Sequence, residues 1–217
     1  MSSTTKTFTT PQRPLAIGHG VVTDIETLFH TVLSHIKASL GGEVSVDGLD
    51  SIQIVSYEIA MLNAEIFAAK SVLDYASRCA EADPDCGFES DLACCCVAEL
   101  MGTTRARLEK IKFSVGLDDA ALTSVYCANS ASKFARRYLD PGTIEKTGRE
   151  AIRRMSFGRS LLEHDKEIIA SSFARFSNEV VAPLAEKIHR NDLTVPEEIL
   201  APLREMGCFG LSIPERY

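Results

Sequence analysis

Seven cysteines are the side chains best able to do chemistry in this chain: Cys79, Cys86, Cys94, Cys95, Cys96, Cys127 and Cys208. A thiolate can ligate zinc or attack an electrophile, so the Cys94-Cys95-Cys96 run is the first place to look for a site. Consecutive residues on a helix are turned by about 100° each, and three such thiols cannot converge on one ion. No histidine adjoins them to complete a tetrahedral set. They read as small buried apolar side chains. The odd count, with no secretory leader, points to reduced thiols in a cytoplasmic compartment.

The other reactive types are no better arranged. Glu81, Asp83 and Asp85 alternate like the start of a calcium loop, but the sixth position is Cys86 instead of Gly and the twelfth is Leu92 instead of Glu. The stretch from Ala80 to Leu92 therefore reads as a solvated loop. His30 and His35 are five apart and project about 140° from each other on a helix, too far to share a metal. His164-Asp165 suits a helix cap better than an acid–base couple, and His189 suits a helix C-terminus. Bases gather at Arg105, Arg107, Lys110 and Lys112, at Lys133, Arg136 and Arg137, and at Arg149, Arg153, Arg154 and Arg159. A phosphate-rich ligand such as coenzyme A would suit them, yet no Gly-rich loop precedes a helix here, and solvated helix faces explain them. No Ser-His-Asp set, HExxH or nucleotide fingerprint occurs. No catalytic, cofactor-binding or metal residue is assigned within residues 1–217.

The elements that would hold such groups are helices. Residues 1–22 read as a disordered polar tail. A first helix spans Asp24 to Leu40, with Thr23 and Glu26 as a capping box and Ile25, Leu28, Phe29, Val32, Leu33 and Ile36 as its stripe. A second spans Leu49 to Cys79, where Ile52, Val55, Ile59, Leu62, Ile66, Ala69, Leu73 and Ala76 alternate steps of three and four. That spacing is the seam of a near-parallel bundle. Ala60, Ala64, Ala68 and Val72 widen it, which favours burial on several sides.

A third helix runs from Asp91 to Val115, capped by Ser90, with Leu92, Cys95, Ala98, Met101, Leu108 and Ile111 inward. A fourth runs from Asp118 to Leu139, with Leu122, Val125, Ala128, Ala131, Ala135 and Leu139 inward, closed by Asp140-Pro141-Gly142. A fifth carries Ile152, Met155 and Leu161. The expected class is all-α: a helical bundle extension over 23–142, a connecting helix over 143–172 and a further helical segment over 173–217.

Composition agrees. The chain has 217 residues, 45% apolar and 24% charged, with net charge −7. The acidic balance argues against nucleic acid as a partner. No run approaches the 18 or so apolar residues of a membrane span.

The last segment, from Phe173, carries the most specific text. Phe173, Phe176, Val180, Val181, Leu184 and Ile188 form one stripe. Pro196 starts a second helix, with Leu200, Leu203 and Met206 inward and Gly207 as its stop. EMGCFGLSIPERY follows. With Pro183, Pro196, Gly207, Gly210 and Pro214 in this order, the segment resembles the start of the N-terminal helical domain of flavin-dependent acyl-CoA dehydrogenases. Two helices cannot bury both stripes alone, so the resemblance implies a chain that continues beyond Tyr217.

The 170 or so preceding residues resemble the extension of one branch, the (2S)-methylsuccinyl-CoA dehydrogenases, in layout, in the Gly42-Glu43-Val44-Ser45 link and in the turn SVGLDDAAL from Ser114 to Leu122. The resemblance implies an enzyme that binds FAD and an acyl-CoA. In the family a Glu takes the α-proton, the β-hydride passes to the flavin, and an electron-transferring flavoprotein reoxidises it. The resemblance places these contacts after Tyr217, so residues 1–217 alone are expected to be inactive, and it implies a homo-oligomer. A non-enzymatic helical scaffold is the competing reading.

Overall fold

The computed structural model describes residues 12–83 and 85–214, and all regular structure among them is helical. The expected all-α class is what the chain adopts. Two compact units divide it, one ending at Arg159 and the other beginning at Ser160.

The first unit is built on three long helices. Helix α1 is Gln12–Ser39, so the part of the expected tail from residue 12 is helical, and the rest lies outside the described residues. The cause is legible in hindsight: Leu15, Val21 and Val22 are buried and extend the stripe of Ile25, Leu28, Phe29, Val32 and Ile36 by two turns. Thr23 thus lies inside the helix, where its hydroxyl donates to the His19 carbonyl instead of capping. Glu26 accepts from Lys70 at 2.7 Å.

Helix α2 is a single short piece, Val46–Ser51, capped by Ser45, whose hydroxyl accepts from the Gly48 amide at 3.1 Å. Helix α3, Gln53–Ala82, follows after a break at Ile52. The expected seam is buried from Leu62 through Ile66, Ala69, Leu73 and Ala76, while Ile52, Val55 and Ile59 are half-exposed. Ala60, Ala64 and Ala68 face solvent, and Val72 is half-buried, so the helix is not enclosed on several sides within this unit.

Helix α4, Gly87–Ile111, starts four residues before the expected Asp91 because Phe88, Glu89 and Ser90 are already buried against the bundle. It packs on α3 and α1 and carries Ala93, Cys94, Val97, Ala98, Met101, Leu108 and Ile111 in the core. Leu92 and Cys95, expected inside, are half-buried.

A short 3₁₀ turn, Lys112–Val115, ends on Gly116 in the left-handed region at φ 69°. A Cβ there would also lie 2.6 Å from the His35 ring, so both backbone and space call for glycine. Asp118 then caps α5 (Asp119–Tyr126), accepting from the Ala121 amide at 2.7 Å. The expected fourth helix is in fact two. It breaks at Cys127-Ala128, and α6 runs Asn129–Tyr138. Tyr126, Phe134 and Tyr138 take the core positions beside Leu122 and Ala131, whereas Val125, Ala128 and Ala135 are half-buried and Leu139 is exposed. The aromatic rings bury more apolar area than alanines, so they set which face turns in.

Asp140-Pro141 starts a helix as well as ending one. Asp140 caps α7, Pro141–Arg154, accepting from Thr143, with Pro141 in the first turn. Helix α7 packs on α4 and α6, which makes it part of the first unit instead of the start of a 143–172 connector. Of the residues named for the fifth helix, Ile152 is 74% exposed and Met155, just past its end, is 89% exposed.

In the second unit, α8 (His164–Phe176) passes through a π-turn, Ser177–Val181, into α9 (Ala182–Arg190). Pro183 lacks an amide proton, and its ring crowds the preceding turn; the widened turn accommodates both. Pro196 is the residue before the first turn of α10, Glu197–Glu205. Gly207 follows at φ 73°, the expected left-handed stop. Ile199 is buried, while Leu200 and Leu203 are half-buried and Met206 is exposed.

Candidate functional site

Of the thiol run, Cys94 faces the core from α4, while Cys95 and Cys96, expected to be buried, are half-buried. Cys94 is fully enclosed, and burial pushes its thiol up to about 12. Burial also raises Cys95 and Cys96. A thiol held protonated neither attacks nor ligates at neutral pH. Cys79 is buried and raised by desolvation as well, and Cys127 is exposed. Among the described residues no three His, Cys, Asp or Glu side chains are placed to hold a metal ion. Both His30 and His35 are exposed. Asp83, from the acidic loop, accepts from the Asp85 amide at 2.9 Å and from Arg159 at 3.0 Å, and these bonds lower its carboxyl in that order.

Two buried carboxylates went unrecognised in the sequence. Glu58 on α3 is 4% exposed, and it receives Lys110 at 2.7 Å and Arg107 at 2.8 Å, both from α4. Arg107 also donates to Glu65 at 2.8 Å. The Lys110 bond, then the Arg107 bond, hold Glu58 below the ordinary carboxylate range. With each oxygen bonded to a cation from α4, Glu58 fastens α3 to α4. A 3.5 heptad reading excludes acids from such positions, and the only signal was the matching i, i+7 spacing of Glu58 and Glu65 on a face opposite Arg107.

Glu89 is 1% exposed, with Arg159 Nε at 3.5 Å and Arg154 at 3.7 Å. The Tyr75 hydroxyl donates to the Arg159 carbonyl at 2.8 Å, and burial lifts that phenol to about 12. Gly158, at φ 145°, lies directly against the Tyr75 hydroxyl, leaving no room for a Cβ. These contacts clamp residues 158 and 159 onto the α3–α4 hairpin. Most bases from Arg105 to Arg159, expected to sit on solvated faces, are thus in ion pairs. Lys133, Arg136 and Arg137 are the exceptions among the described residues of that stretch.

Lys133 and Arg137 border a cavity of about 280 Å³ between α1 and α6. Its apolar surface comes from Pro14, Ile17, Phe134 and Tyr138, and Arg13 stands on its α1 side. In the second unit, the surface depression along α8 is shallow and lies on one helix, lined by His164, Glu167, Ile168, Ser171, Ser172 and Arg175. Neither place has a Gly-rich turn at a helix start to hold a diphosphate tail. No residue described here is assigned to a flavin.

Comparison with known proteins shows what the second unit is similar to. Residues 163–217 match the acyl-CoA dehydrogenase N-terminal domain family. The text from Phe173 to EMGCFGLSIPERY, whose punctuation carries the resemblance, lies within this match, which starts ten residues earlier, close to the unit boundary at Ser160. The chain is also 26% identical over 215 residues to the (2S)-methylsuccinyl-CoA dehydrogenase of Cereibacter sphaeroides. That alignment covers 94% of this chain and 38% of the relative's length. No helix among the described residues is long and apolar enough to cross a membrane.

Proposed function

We propose that residues 1–217 are the amino-terminal region of a flavin-dependent acyl-CoA dehydrogenase acting on a short or branched acyl-CoA such as methylsuccinyl-CoA. The observation that carries this reading is collinearity: a single alignment to a methylsuccinyl-CoA dehydrogenase runs through both units, so the extension and the family segment occur together and in order. In this reading the first unit is the branch-specific bundle, and the second supplies the opening helices of the dehydrogenase's helical domain. FAD, the acyl-CoA and an electron-transferring flavoprotein engage other parts of such an enzyme, so residues 1–217 alone are colourless and inactive. The enzyme is a cytoplasmic homo-oligomer.

The half-exposed stripe of the second unit supports a role as part of a larger fold. Phe173, Phe176, Val180, Val181, Leu184 and Ile188 are all half-buried there, and none is in the buried class. The test joins residues 1–217 to the remaining domains of the methylsuccinyl-CoA dehydrogenase relative. The product should be yellow and should bleach on anaerobic addition of methylsuccinyl-CoA. A soluble, flavin-loaded product that ignores every acyl-CoA would overturn the reading, as would stoichiometric flavin retained by residues 1–217 alone through gel filtration.

A further inference from the structure

We propose that the cavity between α1 and α6 is a binding site for a nucleoside phosphate, with the base in the slot and the phosphates on its cationic rim. The site stands on the geometry of the first unit and is independent of the dehydrogenase reading.

Three observations converge on it. The first is charge that is left over. In a chain of net charge −7, Arg13, Lys133 and Arg137 border one cavity, and none has a carboxylate within ion-pair distance among the described residues. Residues 1–11, just before Arg13, contain no acid at all. The bases of α4 and α7, by contrast, are paired with acids on facing or adjoining turns. Uncompensated cations repel one another unless an anion sits among them.

The second observation is the floor. Pro14, Ile17, Phe134 and Tyr138 line the slot, and the Phe134 and Tyr138 rings meet at 4.9 Å, tilted by 51°. Phe134 and Tyr138 are 4% and 2% exposed, so the floor is fixed by the core of the bundle. The Arg137 guanidinium lies over the Tyr138 ring at 5.2 Å. A guanidinium plane supported by an aromatic ring offers a flat, polarised surface on which a heteroaromatic ring stacks.

The third observation is size. A volume of about 280 Å³ is at the lower edge of ordinary ligand pockets. It has room for a fused ring, and in the proposed pose the ribose and phosphates lie toward the mouth, where the three cations stand. A fatty monocarboxylate would fill the slot yet answer only one of three positive charges. A bare phosphate would answer the charges and leave the apolar floor wet. A base carrying two or more phosphate charges matches both, and the Ser130 hydroxyl beside the slot can bond to the edge of the ring. A free nucleotide and the nucleotide end of a larger coenzyme both present these groups.

The experiment is calorimetry on the 217-residue chain at low salt with ADP, and with pyrophosphate and adenosine as the charge-only and base-only probes. ADP should bind once per chain and at least about tenfold more tightly than either probe. Lys133→Gln with Arg137→Gln, both on exposed side chains, should weaken ADP by about tenfold or more, because charge-assisted bonds to phosphate are lost. Ser130→Trp keeps every charge and blocks the slot, and it should abolish the preference for ADP over pyrophosphate. Circular dichroism checks that each variant keeps its helicity. Equal affinity for ADP and pyrophosphate would mean a charged surface without a slot and would overturn the proposal. So would an unchanged Ser130→Trp variant, or no saturable ADP binding. Comparing ADP with coenzyme A then separates the two sources.

Discussion

At the scale of single residues, chemistry in this protein is decided by enclosure. Three thiols in a row suggest reactivity, but Cys94 is walled in by α4's neighbours and its thiol is pushed up to about 12. Cys79 and Cys86 are equally enclosed, whereas Cys127 is exposed. Native protein treated with an aromatic disulfide reagent at pH 8 should therefore label Cys127 first and leave Cys79, Cys86 and Cys94 unreacted until denaturant is added. Mass mapping of the labelled peptides checks this, and early modification of Cys94 would contradict its place in the core. Glu58 makes the complementary prediction. Its carboxyl is lowered in the fold by Lys110 and Arg107, so the stability it adds is present above about pH 4.5 and is lost as pH falls through its depressed folded value. Glu58→Gln should cost about 1–3 kcal/mol at pH 7 and flatten the acid limb of the stability curve. Equal acid sensitivity in the variant and the parent, followed by helical signal, would remove Glu58 from that role.

At the scale of elements, the helices were legible where one periodic stripe did all the work and illegible where a second influence competed. The seam from Leu62 to Ala76 was read correctly because one apolar stripe at steps of three and four is all that enters the core over those turns. Its extension back to Ile52 failed because the chain breaks at Ile52 and Glu58 takes the inner position at that end. The start of α1 was missed because a polar composition hid Leu15, Val21 and Val22. The fourth helix was drawn through Cys127 because alanines matched the period, while Tyr126, Phe134 and Tyr138 in fact choose the face. No candidate site could be read at all, since the cavity between α1 and α6 joins residues more than a hundred positions apart in the chain. Two substitutions separate these cases. Leu62→Asp should cost about 3–5 kcal/mol, because a charge there has no partner and no water, whereas the half-exposed Ile59→Asp should cost clearly less. Gly116→Ala should cost about 1–3 kcal/mol, from a left-handed φ and from overlap with His35. Urea titrations measure all three, and a neutral Gly116→Ala would refute the strained turn.

At the scale of the molecule, the two units differ in how much each can do unaided. The first has a continuous core running from Leu15 to Tyr138, crossed by ion pairs and closed at its end by the contacts of Gly158 and Arg159 with Tyr75, Asp83 and Glu89. The second buries only Ile199 among its described residues and leaves Ile168, Ile169, Leu193, Val195, Phe209, Leu211 and Ile213 exposed. Helices of 9 to 13 residues are marginal in water without a packed face. Residues 1–159 expressed alone should therefore melt in one cooperative transition and keep their helicity, while residues 160–217 alone should show little helix and no transition. Gly158→Val in residues 1–159 should lower that melting temperature, because the side chain would drive Tyr75 off the Arg159 carbonyl, and should raise amide exchange at residues 155–159 before it affects the α3–α4 hairpin. Calorimetry and hydrogen exchange on the two pieces measure these outcomes. Cooperative melting of residues 160–217 on their own would show a self-sufficient core there, and would remove the need for any apolar partner that the dehydrogenase reading supplies.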